Sequence, residues 1–194
     1  MKKIILTLII VLSVTITSAQ EQKHFSVYGG FGLGFALVTN SSSIFSIQYH
    51  LSARYDAWTL KASTIRNGKL IEVFETPSEL KSVTSRSILF GYTHNIYRPL
   101  MDTNNILSEV NVNIYSGWSN VNSIRSGDVD ISTSNGFFSG KYQKITETAS
   151  GIPVEFEIEW RMRDYVGLTF GLYSNFNRIR NIQAINFNVI FGFF

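Results

Sequence analysis

The chain has 194 residues, 14 glycines, three prolines and no cysteine. This length suffices for one domain, the absence of cysteine excludes a disulfide framework, and the glycine-rich, proline-poor composition favours a β protein. Lys and Arg total 17 against 14 Asp and Glu. Because Lys2 and Lys3 belong to the N-terminal segment described next, the rest is nearly neutral and gives no reason to expect a nucleic-acid partner.

The segment 1–19 has the pattern of a secretory signal peptide. Lys2 and Lys3 precede an apolar run, and Thr17 and Ala19 stand at the −3 and −1 positions of a cleavage site. The run is shorter than the ~20 residues of a membrane-spanning helix. We therefore predict export with removal of residues 1–19, which leaves 20–194 as the mature domain.

Alternation of apolar and polar residues, the period of a β-strand, recurs eight times in the mature sequence. The predicted strands cover about 24–38, 44–56, 57–67, 85–97, 106–120, 154–163, 165–177 and 182–194. Most exceed the usual ~5–6 residues and reach the ~9–11 that a tilted transmembrane strand needs.

The connections predict two unlike ends. One end of the barrel has short connections, namely turns near Asp56 and Asp164 and a link at 98–105. The other end has longer polar segments at 68–84 and 121–152. Such asymmetry is typical of outer-membrane barrels. For 121–152 we expect a flexible loop. A hairpin extending the fifth and sixth strands beyond the bilayer and a ten-stranded barrel are the alternatives.

The sixth strand, V-E-F-E-I-E-W-R-M-R over 154–163, is apolar on one face and charged on the other. Across the strands, the polar faces carry four acids and four bases, which can neutralise each other in a closed interior where an unpaired charge would be costly. Together they predict a structural charge network in the lumen, made of Arg54, Lys61, Glu109, Glu155, Glu157, Glu159, Arg161 and Arg163. An ion pathway is the alternative.

Alternation alone fits a soluble barrel with an apolar interior as well as a membrane barrel with a polar interior. Glycines concentrate on the polar faces, where they would relieve crowding in a narrow barrel, and aromatic residues concentrate near the strand ends. Both observations favour the membrane barrel. Since eight strands leave an interior just wide enough for side chains, we expect a filled lumen rather than a pore.

The last strand ends in F-N-V-I-F-G-F-F. With these features the sequence resembles the small eight-stranded outer-membrane β-barrels of Gram-negative bacteria, the OmpA/OmpX-like class. The resemblance implies an all-β fold, an eight-stranded antiparallel up-and-down transmembrane β-barrel in the cell outer membrane. It also implies contact with outer-membrane lipid and recognition of the aromatic C-terminal strand by the barrel-assembly machinery. We expect a monomer.

Catalytic and cofactor motifs are weak. His50 and Ser52, in Y-H-L-S, faintly resemble the His-x-Ser motif of outer-membrane lipid A deacylases, but Ala53 stands where that family has Asn. The glycines of 29–34 lie within a strand rather than before a helix, and no His cluster has metal-ligand spacing. We therefore expect no enzyme, cofactor or metal. The predicted role is structural or interactive through loops 68–84 and 121–152, with a porin-like channel or a lipid-modifying enzyme as alternatives.

Overall fold

The computed structural model describes residues 25–38, 44–68, 80–97, 109–134, 137–163 and 165–193. The predicted signal peptide, the link 98–105 and Phe194 lie outside these ranges. Within them, no helix is long and apolar enough to span a membrane.

Eight antiparallel strands form the fold. They are β1 (Phe25–Val38), β2 (Ile44–Tyr55), β3 (Trp58–Gly68), β4 (Leu80–Tyr97), β5 (Glu109–Ser134), β6 (Phe137–Arg163), β7 (Val166–Asn177) and β8 (Ile182–Phe193). Each strand pairs with its neighbours in sequence, and β1 pairs with β8, so the sheet closes on itself. The all-β, up-and-down barrel predicted from the sequence is confirmed.

The alternation of β6 decides which face lies inside. Glu155, Glu157 and Glu159 have no exposed surface, whereas Val154 and Phe156 are 39% and 37% exposed. The other strands also carry exposed Leu, Ile and Phe side chains on the outside, and most of their buried residues are polar or small. The charged face therefore fills the lumen, and the apolar face surrounds the barrel.

The apolar outer face forms a band of limited height. On β6 it runs from Ile152 to Met162. At ~3.3 Å per residue and a tilt of about 40°, this span is about 25 Å tall, the height of the apolar band of outer-membrane barrels. Exposed aromatic rings lie near both limits, with Trp58 towards one and Trp118 towards the other.

The expectation of a flexible loop over 121–152 is wrong, because most of it belongs to β5 and β6. The two strands stay paired up to Ser134 and Phe137, with one irregularity between Ser126 and Val129. Ser, Thr and Asn occupy both faces of this stretch, so its sequence lacks the hydrophobic period that reveals a strand. The alternative of an extended hairpin is right, and the extra pieces do not make a ten-stranded barrel.

The other long segment is also shorter than predicted, since 80–84 belongs to β4, and 69–79 lies outside the described residues. At the opposite end, Asp56 and Ala57 join β2 to β3. Asp56 has a φ of 55°, a left-handed conformation that Asp tolerates better than most residues. We call this the short-turn end, and the other the hairpin end.

Candidate functional site

The lumen near the short-turn end is organised around the carboxylate of Glu159. Arg54 donates two hydrogen bonds to it, from Nη2 to Oε2 at 2.8 Å and from Nη1 to Oε1 at 3.1 Å. Arg161 Nε donates to Oε1 at 2.6 Å, and its Nη1 donates to Glu109 Oε2 at 2.8 Å. One buried carboxylate thus binds two guanidinium groups, and the second of these reaches a further carboxylate.

Lys61 forms a second centre further up the lumen. Its Nζ lies 2.7 Å from Glu157 Oε2 and 3.2 Å from Glu155 Oε1. The same ammonium lies 4.9 Å from the ring centroid of Tyr115, within the range of a cation–π contact. Lys61 and both glutamates have no exposed surface, so their charges are balanced by protein groups. One carboxylate oxygen, Oε2 of Glu155, has no hydrogen-bond partner among the described residues.

Neutral side chains of other strands complete the network. The Tyr28 hydroxyl donates to Glu159 at 3.2 Å and accepts from Arg54 at 2.9 Å. Asn113 Nδ2 donates to Glu157 at 3.1 Å and to Glu159 at 3.2 Å, which joins the two centres. Gln48 donates to Glu155 at 2.9 Å. Because these residues lie on β1, β2 and β5, the network spans the lumen.

The buried charges balance. Glu155, Glu157 and Glu159 are matched by three buried bases, Arg54, Lys61 and Arg161. Glu109 lies nearer the opening, with 15% of its side chain exposed, and also accepts from Asn95. Breaking such a buried ion pair typically costs 3–5 kcal/mol, because the remaining partner stays desolvated and unpaired.

Seven of the eight charged residues expected in the lumen are placed there. The structure joins these seven into the two centres described above. The eighth residue is Arg163, whose side chain lies outside the described part of the chain. Sequence reasoning missed the neutral partners, above all Tyr28 and Asn113. Both have the inward parity of their strands, but nothing in the sequence distinguishes them from other inward Tyr and Asn residues.

Sequence reasoning also missed an apolar cluster at the hairpin end of the lumen. Its members are Ala36, Val38, Ile65, Val83, Val121, Tyr173, Ile182 and Ala184. Below it, the Tyr173 hydroxyl lies 2.8 Å from Ser85 and accepts from Asn175 at 2.8 Å. From the short-turn end upwards, the lumen therefore changes from charged to neutral polar and then to this apolar cluster, which lies level with the buried polar residues Ser46 and Asn67.

His50 and Ser52 both lie in the lumen, but they do not form a catalytic pair. Among the residues that the structure describes, neither ring nitrogen of His50 nor the hydroxyl of Ser52 has a hydrogen-bond partner. Acyl transfer requires a base bonded to the nucleophile and oriented by a third group. Among the described residues, no group of three His, Cys, Asp or Glu could hold a metal ion.

Glycines make room for the large lumen side chains. A Cβ atom added to Gly91 would collide with the ring of Tyr115, and one added to Gly192 would collide with the backbone of Val27 and Tyr28. Both tyrosines are buried and face the charge network. The glycines of the polar faces thus relieve crowding, as their position in the sequence predicts.

No protein-family model matches the chain, and no curated protein matches it by sequence. Solved structures do match its fold. The Neisserial surface protein NspA has a TM-score of 0.52 and 13% identity, over 88% of this chain and 99% of NspA. Ail, the attachment invasion locus protein of Yersinia pestis, has a TM-score of 0.56 and 8% identity, over 87% of this chain and 97% of Ail. The N-terminal β-barrel domain of Pseudomonas aeruginosa OprF has a TM-score of 0.55 and 10% identity, over 89% of this chain and 100% of that domain.

The chain therefore has the fold of the small eight-stranded outer-membrane β-barrels. The resemblance predicted from the sequence is confirmed at the level of the fold.

Proposed function

We propose that the protein is an integral outer-membrane β-barrel with a sealed lumen and no catalytic activity, which presents its longest hairpin outside the cell for interaction. The observation that carries the proposal is an apolar band about 25 Å tall around a lumen in which three buried acids are matched by three buried bases. In water, such a band would leave a large apolar surface exposed. In lipid, the closed sheet satisfies its backbone groups without a free edge.

The sealed lumen rests on the packing around Lys61. Its side chain and those of Glu155 and Glu157 have no surface that a water molecule can reach, so no continuous water path passes them. The apolar cluster at the hairpin end adds a second constriction. Both features support a structural role for the eight-residue charge network over the ion pathway that the sequence left open.

The interaction role rests on residues 120–134 and 137–150, which we call the β5–β6 hairpin. Its outward positions next to the barrel are polar, including Asn120, Asn122, Thr148 and Ser150, so it extends beyond the apolar band. The pairing of β6 with β7 begins only at Gly151. Within the described part of the chain, β5 is the only strand that pairs with residues 144–150, so an extended segment of a partner could add along their other edge. Attachment is part of Ail's name, which agrees with an interaction role.

Single cysteines test the location and orientation, since the chain has no cysteine of its own. Thr146→Cys lies in the hairpin, and Ala57→Cys lies in the turn at the opposite end. We expect a membrane-impermeant maleimide to label Thr146→Cys on intact cells and Ala57→Cys only after permeabilisation. Recovery of the protein in the soluble fraction, or the reverse labelling pattern, would contradict the proposal.

The interaction role is tested by deleting residues 129–142, which shortens the hairpin and leaves the barrel strands intact. Cells producing the full protein should adhere to an epithelial monolayer or to each other more than cells producing the shortened one at equal surface level. Equal adherence in both assays would refute the interaction role.

A further inference from the structure

The outer face of the barrel changes from apolar to polar across β2 to β5, along three rows of paired residues. The first row joins Leu51, Ala62, Ile88 and Trp118, the second joins Tyr49, Thr64, Arg86 and Asn120, and the third joins Ile47, Arg66, Thr84 and Asn122. On β3 to β5 the apolar band therefore ends between the first row and the second.

A groove of about 510 Å³ lies at this boundary, with Tyr49, Ala62, Arg86, Ile88, Trp118 and Asn120 among its lining residues. In the first row the small side chain of Ala62 stands between the larger Leu51 and Ile88, which leaves room on the apolar surface. Tyr49 and Trp118 are 50% and 53% exposed. Amphipathic rings of this kind prefer the level of the lipid headgroups.

One arginine lines the groove, and a second lies in the next row of the outer face. Arg66 and Arg86 are exposed and occupy diagonal positions on β3 and β4, where Cβ atoms are ~7–8 Å apart. Neither has an ion-pair partner among the described residues. No Asp or Glu occupies an outward position of the strands where the structure describes the side chain. Two neighbouring exposed cations, with no acid beside them among the described residues, offer a site for an anion.

We propose that Arg66 and Arg86 bind the headgroup of an anionic, phosphorylated membrane lipid, one of whose acyl chains lies in the groove beside Ala62 and Trp118. Guanidinium groups match the geometry of phosphate oxygens, and Asn120 and Thr84 offer further hydrogen bonds at the same level. The apolar first row accepts the chain, and the basic rows above accept the head. The site rests on the membrane insertion proposed above and adds selectivity for one class of lipid.

Quenching of Trp118 fluorescence tests this site. With Trp58→Phe and Trp160→Phe, Trp118 is the only tryptophan left, since the chain has three. The protein is placed in phosphatidylcholine nanodiscs that contain a small fraction of a lipid with brominated chains. We expect brominated phosphatidylglycerol to quench Trp118 at a lower mole fraction than brominated phosphatidylcholine. Each basic residue near a membrane surface contributes about a fivefold preference.

The double variant Arg66→Gln/Arg86→Gln should remove most of this preference without changing quenching by brominated phosphatidylcholine. Lys144→Gln is the control, because it removes one positive charge on the β5–β6 hairpin beyond the apolar band, and it should keep the preference. Equal quenching by the two lipids in the parent protein, or an unchanged preference in the double variant, overturns the lipid site alone. Absence of quenching by either lipid overturns the membrane insertion as well.

Discussion

Replacing Lys61 by Met should be among the most damaging single changes in the barrel. The variant leaves Glu155 and Glu157 without the ammonium that lies 3.2 Å and 2.7 Å from them. At an effective dielectric constant of 20, each contact corresponds to about 5–6 kcal/mol of Coulomb attraction before desolvation is subtracted. Removing one partner of a buried ion pair typically costs 3–5 kcal/mol. We expect a loss of about that size in the free energy of unfolding.

Urea unfolding of the protein refolded into lipid vesicles measures this loss. Lys144→Gln removes an exposed charge and should change stability by less than about 0.5 kcal/mol. The triple variant Lys61→Met/Glu155→Gln/Glu157→Gln removes the uncompensated charges and should regain much of the lost stability. If Lys61→Met unfolds within about 1 kcal/mol of the parent, or if the triple variant is less stable than Lys61→Met, the reasoning is refuted.

Three further predictions concern the lumen and the hairpin. Glu159→Gln, which deprives two buried arginines of their shared carboxylate, should destabilise the barrel by about 3–5 kcal/mol, and Glu109→Gln, at the partly exposed opening, by less than about 1 kcal/mol; equal losses in urea unfolding would contradict the network. Gly91→Ala should cost about 1–3 kcal/mol because its Cβ would collide with an aromatic ring of β5. Gly171→Ala, whose Cβ would meet no atom closer than 3.5 Å, should be nearly neutral, and the reverse ranking would be evidence against this packing. Deleting 129–142 should leave the heat-modifiable gel mobility of the barrel unchanged, whereas its loss would show that the hairpin is needed for folding.

The sequence predicts the barrel well where one face is apolar and the other polar. In β6, a single stretch of alternating Glu and apolar residues assigns each side chain to lipid or lumen, and the exposed fractions agree with that assignment. The prediction of a loop over 121–152 failed because Ser, Thr and Asn occur on both faces of the hairpin, so apolar and polar residues do not alternate there. There the strand is defined by backbone pairing, which leaves no periodic pattern in the sequence.

The sequence predicts which charged side chains lie in the lumen, but not which of them form ion pairs with each other. Alternation places Arg54, Lys61 and Glu159 inside, but which charge meets which depends on the register of each strand and on its tilt. The apolar cluster at the hairpin end was missed for a related reason. Val83 and Val121 lie on faces that are mostly polar. A rule that assigns every apolar residue to the lipid-facing side therefore places them incorrectly.

Single-channel recording in a planar lipid bilayer tests the central claim, a lumen sealed by its own paired charges, most directly. The barrel is inserted from detergent at increasing protein concentration, with a porin as the positive control for insertion and detection. We predict no steady single-channel currents at any concentration at which heat-modifiable, folded barrel is recovered from the membrane. Reproducible unitary currents from the purified protein would show that water and ions pass Lys61 and its glutamates, and would contradict the account.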